Sequence, residues 1–88
     1  MKVSKDFILR EIAGEILLVP TGAAAARFNG LITMNELGKF IVQALGEDMT
    51  LPQLAEKITG EYEVDYETAL ADAEEFADQL RQVGALVE

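Results

Sequence analysis

The hydrophobic pattern changes period inside one stretch, Gly30 to Gly46, and the rest of the chain divides around it. Leu31, Ile32, Thr33 and Met34 form a short apolar run whose β-branched members favour a pleated backbone. Asn35 then fits a helix N-cap, its side-chain oxygen able to accept an orphan N–H of the first turn. Leu37, Phe40, Ile41, Ala44 and Leu45 recur at i, i+3, i+4, i+7 and i+8, which is one face of a helix, and Gly46 stops it. The chain upstream of this stretch reads as β, and the chain downstream of it reads as α.

Upstream, Asp6–Ile12 and Glu15–Pro20 are apolar-rich runs separated by Ala13-Gly14, a two-residue hairpin signal weaker than Asn-Gly. In the first run Phe7, Leu9 and Glu11 share one face, and Ile8, Arg10 and Ile12 the other. Ile16-Leu17-Leu18-Val19 is apolar on both faces, as suits a middle strand, and Pro20 ends it because proline cannot donate to the ladder. Residues 21–29 carry four alanines but leave space only for a turn or so of helix, so an ordered loop pinned by Phe28 is expected. Arg27 is the candidate anion contact there.

Downstream, Thr50-Leu51-Pro52-Gln53 fits a capping box, followed by the stripe Leu51, Leu54, Ala55 and Ile58 and a stop at Gly60. Tyr62 and Val64 are expected to pack in the connection. Asp65 is the expected N-cap of the longest helix, with apolar positions Ala69, Leu70, Ala73, Phe76, Ala77, Leu80 and Val83. Gly84 comes next as its C′ residue, and Leu86-Val87 is placed to fold back on the core. The expected fold is α+β: a three-stranded antiparallel sheet followed by three helices, compatible with a winged-helix-like arrangement, in a single domain over residues 1–88.

Composition narrows what such a domain can do. Cysteine and histidine are both absent, which removes disulfides, thiolate nucleophiles and the usual proton-transfer and metal-ligating side chain. Ser4, the only serine, stands at an end expected to be mobile, with no histidine to activate it. Carboxylates such as Asp72, Glu74 and Glu75 read as the solvated face of a helix, and no calcium-loop pattern accompanies them. An enzyme is not expected, nor a cofactor or a bound metal. No apolar run is long enough to span a membrane and no signal-peptide pattern opens the chain, so a cytoplasmic location is expected.

The charge is uneven, +1 over residues 1–46 and −10 over residues 47–88. So acidic a helical half repels phosphate backbones and anionic membrane surfaces, which excludes nucleic acid and membrane as expected partners. A binding module remains. If the three strands form a meander, 31–34 lies at an edge with unpaired backbone groups, where an extended peptide can add as a strand. Ala69, Ala73 and Ala77 could leave room for that peptide, or could simply allow close helix packing.

The apolar hairpin ending in Leu17-Leu18-Val19-Pro20-Thr21-Gly22, the Met34-Asn35-Glu36-Leu37-Gly38 segment standing where a Leu-Asn-x-x-Gly pattern is expected, Thr50-Leu51-Pro52-Gln53-Leu54, Tyr62-x-Val64-Asp65 and the closing Gly84-Ala85-Leu86 together resemble the PqqD-like family, also called RiPP recognition elements. The resemblance covers nearly the whole chain. It implies a peptide chaperone that binds the leader of a ribosomally made precursor as an added strand. The leader is then presented to a modifying enzyme, often a radical S-adenosylmethionine protein. Carried onto this chain, the edge is Leu31, Ile32, Thr33 and Met34, and the groove wall is Ala69, Ala73, Phe76, Ala77 and Leu80. The connection Ala23 to Thr33 is longer than in the PqqD proteins of pyrroloquinoline quinone synthesis, which favours the broader family with another precursor and brings Arg27 and Phe28 towards the site. An acidic last helix should prefer a leader with basic residues.

Three rivals remain distinct. A winged-helix nucleic-acid binder would put its acidic helix forward, and an acyl carrier would need a serine at a helix start. A structural or dimerising module would pair the open edge with itself.

Overall fold

The hairpin at Ala13-Gly14 is the tightest local constraint in the sheet. Ala13 (φ 53°) and Gly14 (φ 82°) both take positive φ, the requirement of a two-residue type I′ turn, and Ile12 pairs directly with Glu15. In the computed structural model, which describes residues 1–27 and 32–88, this turn joins β2 (Phe7–Ile12) to β3 (Glu15–Pro20). β4 (Ile32–Met34) pairs antiparallel with β3 on its other side, giving the order β2-β3-β4. The middle strand is the one apolar on both faces: Ile16, Leu17 and Leu18 are all buried. Phe7 turns into the core while Ile8 and Ile12 stay exposed, so the inward face of β2 is that of Phe7, Leu9 and Glu11.

The helices are α1 (Gly22–Arg27), α2 (Glu36–Ala44), α3 (Leu51–Glu61) and α4 (Tyr66–Gln82). Three are capped by side chains that the local pattern anticipates. Asn35 accepts the Gly38 N–H at 2.8 Å, Thr50 and Gln53 close a reciprocal capping box, and Asp65 accepts the Thr68 N–H at 2.7 Å. That last bond holds the Asp65 carboxyl below its ordinary pKa. α4 ends in a Schellman motif: Gly84 has φ 74°, its N–H donates to Arg81 O, and the Ala85 N–H donates to Leu80 O at 2.9 Å. Leu18, Ile41, Leu45, Leu54, Ile58 and Leu80 are the largest fully buried side chains, and the Phe40 and Tyr62 rings meet edge to face at 5.6 Å.

Several expectations are corrected. Residues 22–27 form a helical turn and a half rather than a loop, with Ala24 buried and Thr21 O accepting the first N–H groups. The chain start is not loose. β1 (Lys2–Val3) pairs with β5 (Leu86–Val87), the Val3 N–H donates to Leu45 O at 2.9 Å, and the Ser4 hydroxyl accepts the Asp6 N–H at 3.1 Å. Four helices, not three, are therefore present among the described residues, and a two-stranded sheet accompanies the three-stranded one. α3 runs on past Gly60, and Val64 is exposed rather than packed.

Candidate functional site

β4 is three residues long, and period-two alternation decides what each presents. Met34 is buried, Ile32 half-buried and Thr33 exposed, opposite Ile16, Leu18 and Leu17 respectively. Among the described residues, β4 has a strand partner on the β3 side only. Its outer edge faces α4 across a groove.

Three adjoining hollows make up that groove. Near the α2 start, one of about 270 Å³ lies between Thr33, Met34, Asn35 and Leu37 on one wall and Asp72, Glu75, Phe76 and Gln79 of α4 on the other. The middle one, about 190 Å³, has mainly aliphatic and aromatic walls: Ile32 and Met34 face Phe76, Leu80 and Val83, with Gln79 and Gln82 at the rim. The third, about 390 Å³, continues past Gln82 and Val83 to Phe7, Ala24, Gly84 and Arg27. Because α4 residues shared between neighbours link the three, the groove runs along the helix from Asp72 to Gly84.

Phe76 lines both of the first two hollows, and its ring lies close against Gly38. A Cβ built on Gly38 would stand 2.9 Å from Phe76 Cε2 and 3.2 Å from Met34 Cβ. Any larger residue there has to displace one of them. The glycine of the Asn35-x-x-Gly38 motif thus serves close approach of α2 to the groove, while the asparagine caps the same helix.

Placement of the expected site residues is mixed. Ile32, Thr33 and Met34 lie on the open strand, and Phe76 and Leu80 line the groove with them. Ala69, Ala73 and Ala77 do not: none of them lines any of the three hollows, whereas Leu80, equally buried, does, and this corrects their assignment to the groove wall. Their small size serves close packing of α4, the alternative that helical phase alone left open. Arg27 stands at the far end of the groove. Leu31 and Phe28 lie outside the described residues. Asp72, Glu75, Gln79, Gln82 and Val83 were missed, although Asp72, Phe76, Gln79 and Val83 themselves form an i, i+4, i+7, i+11 stripe beside the alanine stripe. Ion pairs among the described residues join Lys39 to Glu11 and Arg81 to Asp78 and Glu88, and the chain-start amine to Asp48. None of them involves Asp72, Glu75 or Arg27.

The family model described as coenzyme PQQ synthesis protein D (PqqD) matches residues 14–86. The chain belongs to the PqqD family. Its match takes in β3, α1, β4 and all of α4, hence both walls of the groove except Phe7. Among solved structures, this PqqD-family chain is similar to TbiB1 in complex with the TbiA(beta) leader peptide, with a TM-score of 0.71, 23% identity, and coverage of 93% of this chain and 90% of that one. That likeness extends the agreement in fold to nearly the whole domain. No curated protein matches the chain.

Proposed function

We propose that this PqqD-family domain is a non-catalytic peptide chaperone, which captures the leader of a ribosomally made precursor as a strand added to β4 and presents it to a modifying enzyme. The observation that carries this reading is the open outer edge of β4 facing an aliphatic hollow between Ile32, Met34, Phe76, Leu80 and Val83. Backbone pairing would supply affinity independent of sequence, and the hollow would select the side chain that points into it. Family membership supports the reading, as does the likeness in fold to TbiB1, whose structure holds a leader peptide. A radical S-adenosylmethionine protein is the proposed kind of partner, and the cytoplasm the proposed setting. No described helix is long and apolar enough to cross a membrane.

Amide NMR titration with the leader of a short peptide encoded beside this gene tests the proposal. Shifts concentrated at Ile32–Met34 and along Phe76–Val83 are expected. Shifts confined to other surfaces, or none, would defeat it. Concentration-dependent sedimentation of the free protein would instead favour a module whose edge pairs with a second copy.

A further inference from the structure

The groove has a charge at each end and an apolar middle. Asp72 and Glu75 border the hollow beside Thr33, Met34 and Asn35, at the C-terminal end of β4. Arg27 borders the hollow past Gln82 and Val83, beyond the N-terminal end of β4. None of the three is in an ion pair among the described residues. Between them lies the Ile32, Met34, Phe76, Leu80 and Val83 hollow, which suits one aliphatic or aromatic side chain.

We infer, building on the strand-addition reading above, that the groove selects an extended peptide by the order of three features: a basic residue, then an apolar anchor, then an acidic residue. Direction comes from topology. Every strand pair among the described residues is antiparallel, and a strand added to β4 in the same sense starts at the Asp72 and Glu75 end and finishes at the Arg27 end. Its basic residue is therefore N-terminal. Spacing comes from helix and strand rises. Residues 72 to 82 of α4 span about 15 Å at ~1.5 Å per residue, a length covered by roughly four to five strand residues at ~3.3 Å each. The basic and acidic residues thus stand about four to six positions apart with the anchor between them. Opposite charges at the rim contribute modestly to affinity, whereas like charges forced together oppose the wrong peptide, so order is read chiefly by rejection of the reversed pattern.

Selection of a displayed random decapeptide library on the immobilised full chain tests this without knowledge of the natural precursor. Enriched peptides are to be sequenced, and their amide shifts mapped. The expected result is a basic–apolar–acidic order among peptides that shift Ile32–Met34. Exchanging the order in a synthetic representative should weaken binding by about fivefold. The charge-exchanged protein, Glu75→Lys with Arg27→Glu, should select the reverse order. Both substitutions are on the surface, and its amide spectrum reports folding directly. Peptides that bind at Ile32–Met34 with no charge order, or with an order unchanged in the exchanged protein, overturn the inference and leave strand addition standing. Failure to enrich any peptide that shifts those amides overturns both.

Discussion

At the scale of single residues, the contact between Gly38 and Phe76 connects the motif to the groove. Alanine at position 38 would gain about 1 kcal/mol of helix propensity. Its methyl would also overlap the Phe76 ring and press on Met34 Cβ, and overpacking of this kind costs about 1–3 kcal/mol. Gly38→Ala should therefore destabilise by about 1 kcal/mol net in urea denaturation, with peptide affinity falling because the displaced ring enters the middle hollow. Adding Phe76→Leu should recover stability beyond the sum of the two single effects, since the clash is then gone. Additive behaviour would place the strain elsewhere. The same close approach explains why the alanines of α4 misled. A run of small residues at positions 69, 73 and 77 signals proximity of backbones, but the signal does not say whether a helix or a ligand comes near. Here they are shut inside the fold, and the larger residue one step along, Phe76, faces the groove.

Among the elements, legibility tracked the local character of the signal. The caps Asn35, Thr50 and Asp65 and the glycine stop at Gly84 were readable because each is a short-range hydrogen-bonding pattern. The β1–β5 pair was not, because Lys2–Val3 and Leu86–Val87 are two residues each and acquire strand geometry only from one another across the whole chain. In sequence α1 reads as a loop because six residues with no side-chain cap rank poorly as an isolated helix, and burial of Ala24 supplies what propensity does not. Two predictions belong to these elements. Ala13 occupies left-handed backbone at a cost of about 1 kcal/mol for a residue with a Cβ, so Ala13→Asn, restoring the favoured Asn-Gly turn, should stabilise by about 0.5–1 kcal/mol. A raised urea midpoint at unchanged slope is the check. At α4, hydrogen bonding to Thr68 lowers the Asp65 pKa, so its ionised form stabilises the fold above the ordinary carboxylate pKa. That contribution is lost as pH falls through the depressed folded value. Asp65→Asn keeps the cap but not the titration. Its stability should trail wild type at neutral pH and converge with it in acid, and parallel curves would mean the charge at Asp65 is immaterial.

Taken whole, the molecule places a net charge of −9 on a body with a radius of gyration of 12.8 Å, with −10 in the second half of the chain against +1 in the first. The Debye length is about 10 Å at 0.1 M salt, comparable with those dimensions, so charges across α3 and α4 repel one another through much of the domain in dilute buffer. Folding concentrates them, and salt relieves the repulsion. Peptide binding has the opposite dependence if Asp72 and Glu75 meet a basic residue, because salt screens an attraction formed only in the complex. A single variable then separates two effects of the same charges. Raising sodium chloride from dilute buffer to physiological strength and beyond should stabilise the free domain by on the order of 1 kcal/mol, seen as about 4–8 °C in the thermal midpoint. Over the same range the affinity for a basic-first peptide should decline, while that of a peptide neutral at both the Asp72 end and the Arg27 end stays nearly constant. Scanning calorimetry and fluorescence anisotropy in matched buffers measure the two. If both quantities fall together, the acidic half is held by specific ion pairing rather than strained by its own charge. If peptide affinity is indifferent to salt, the carboxylates at Asp72 and Glu75 do not face the ligand, and selection rests on the hollow between β4 and α4 alone.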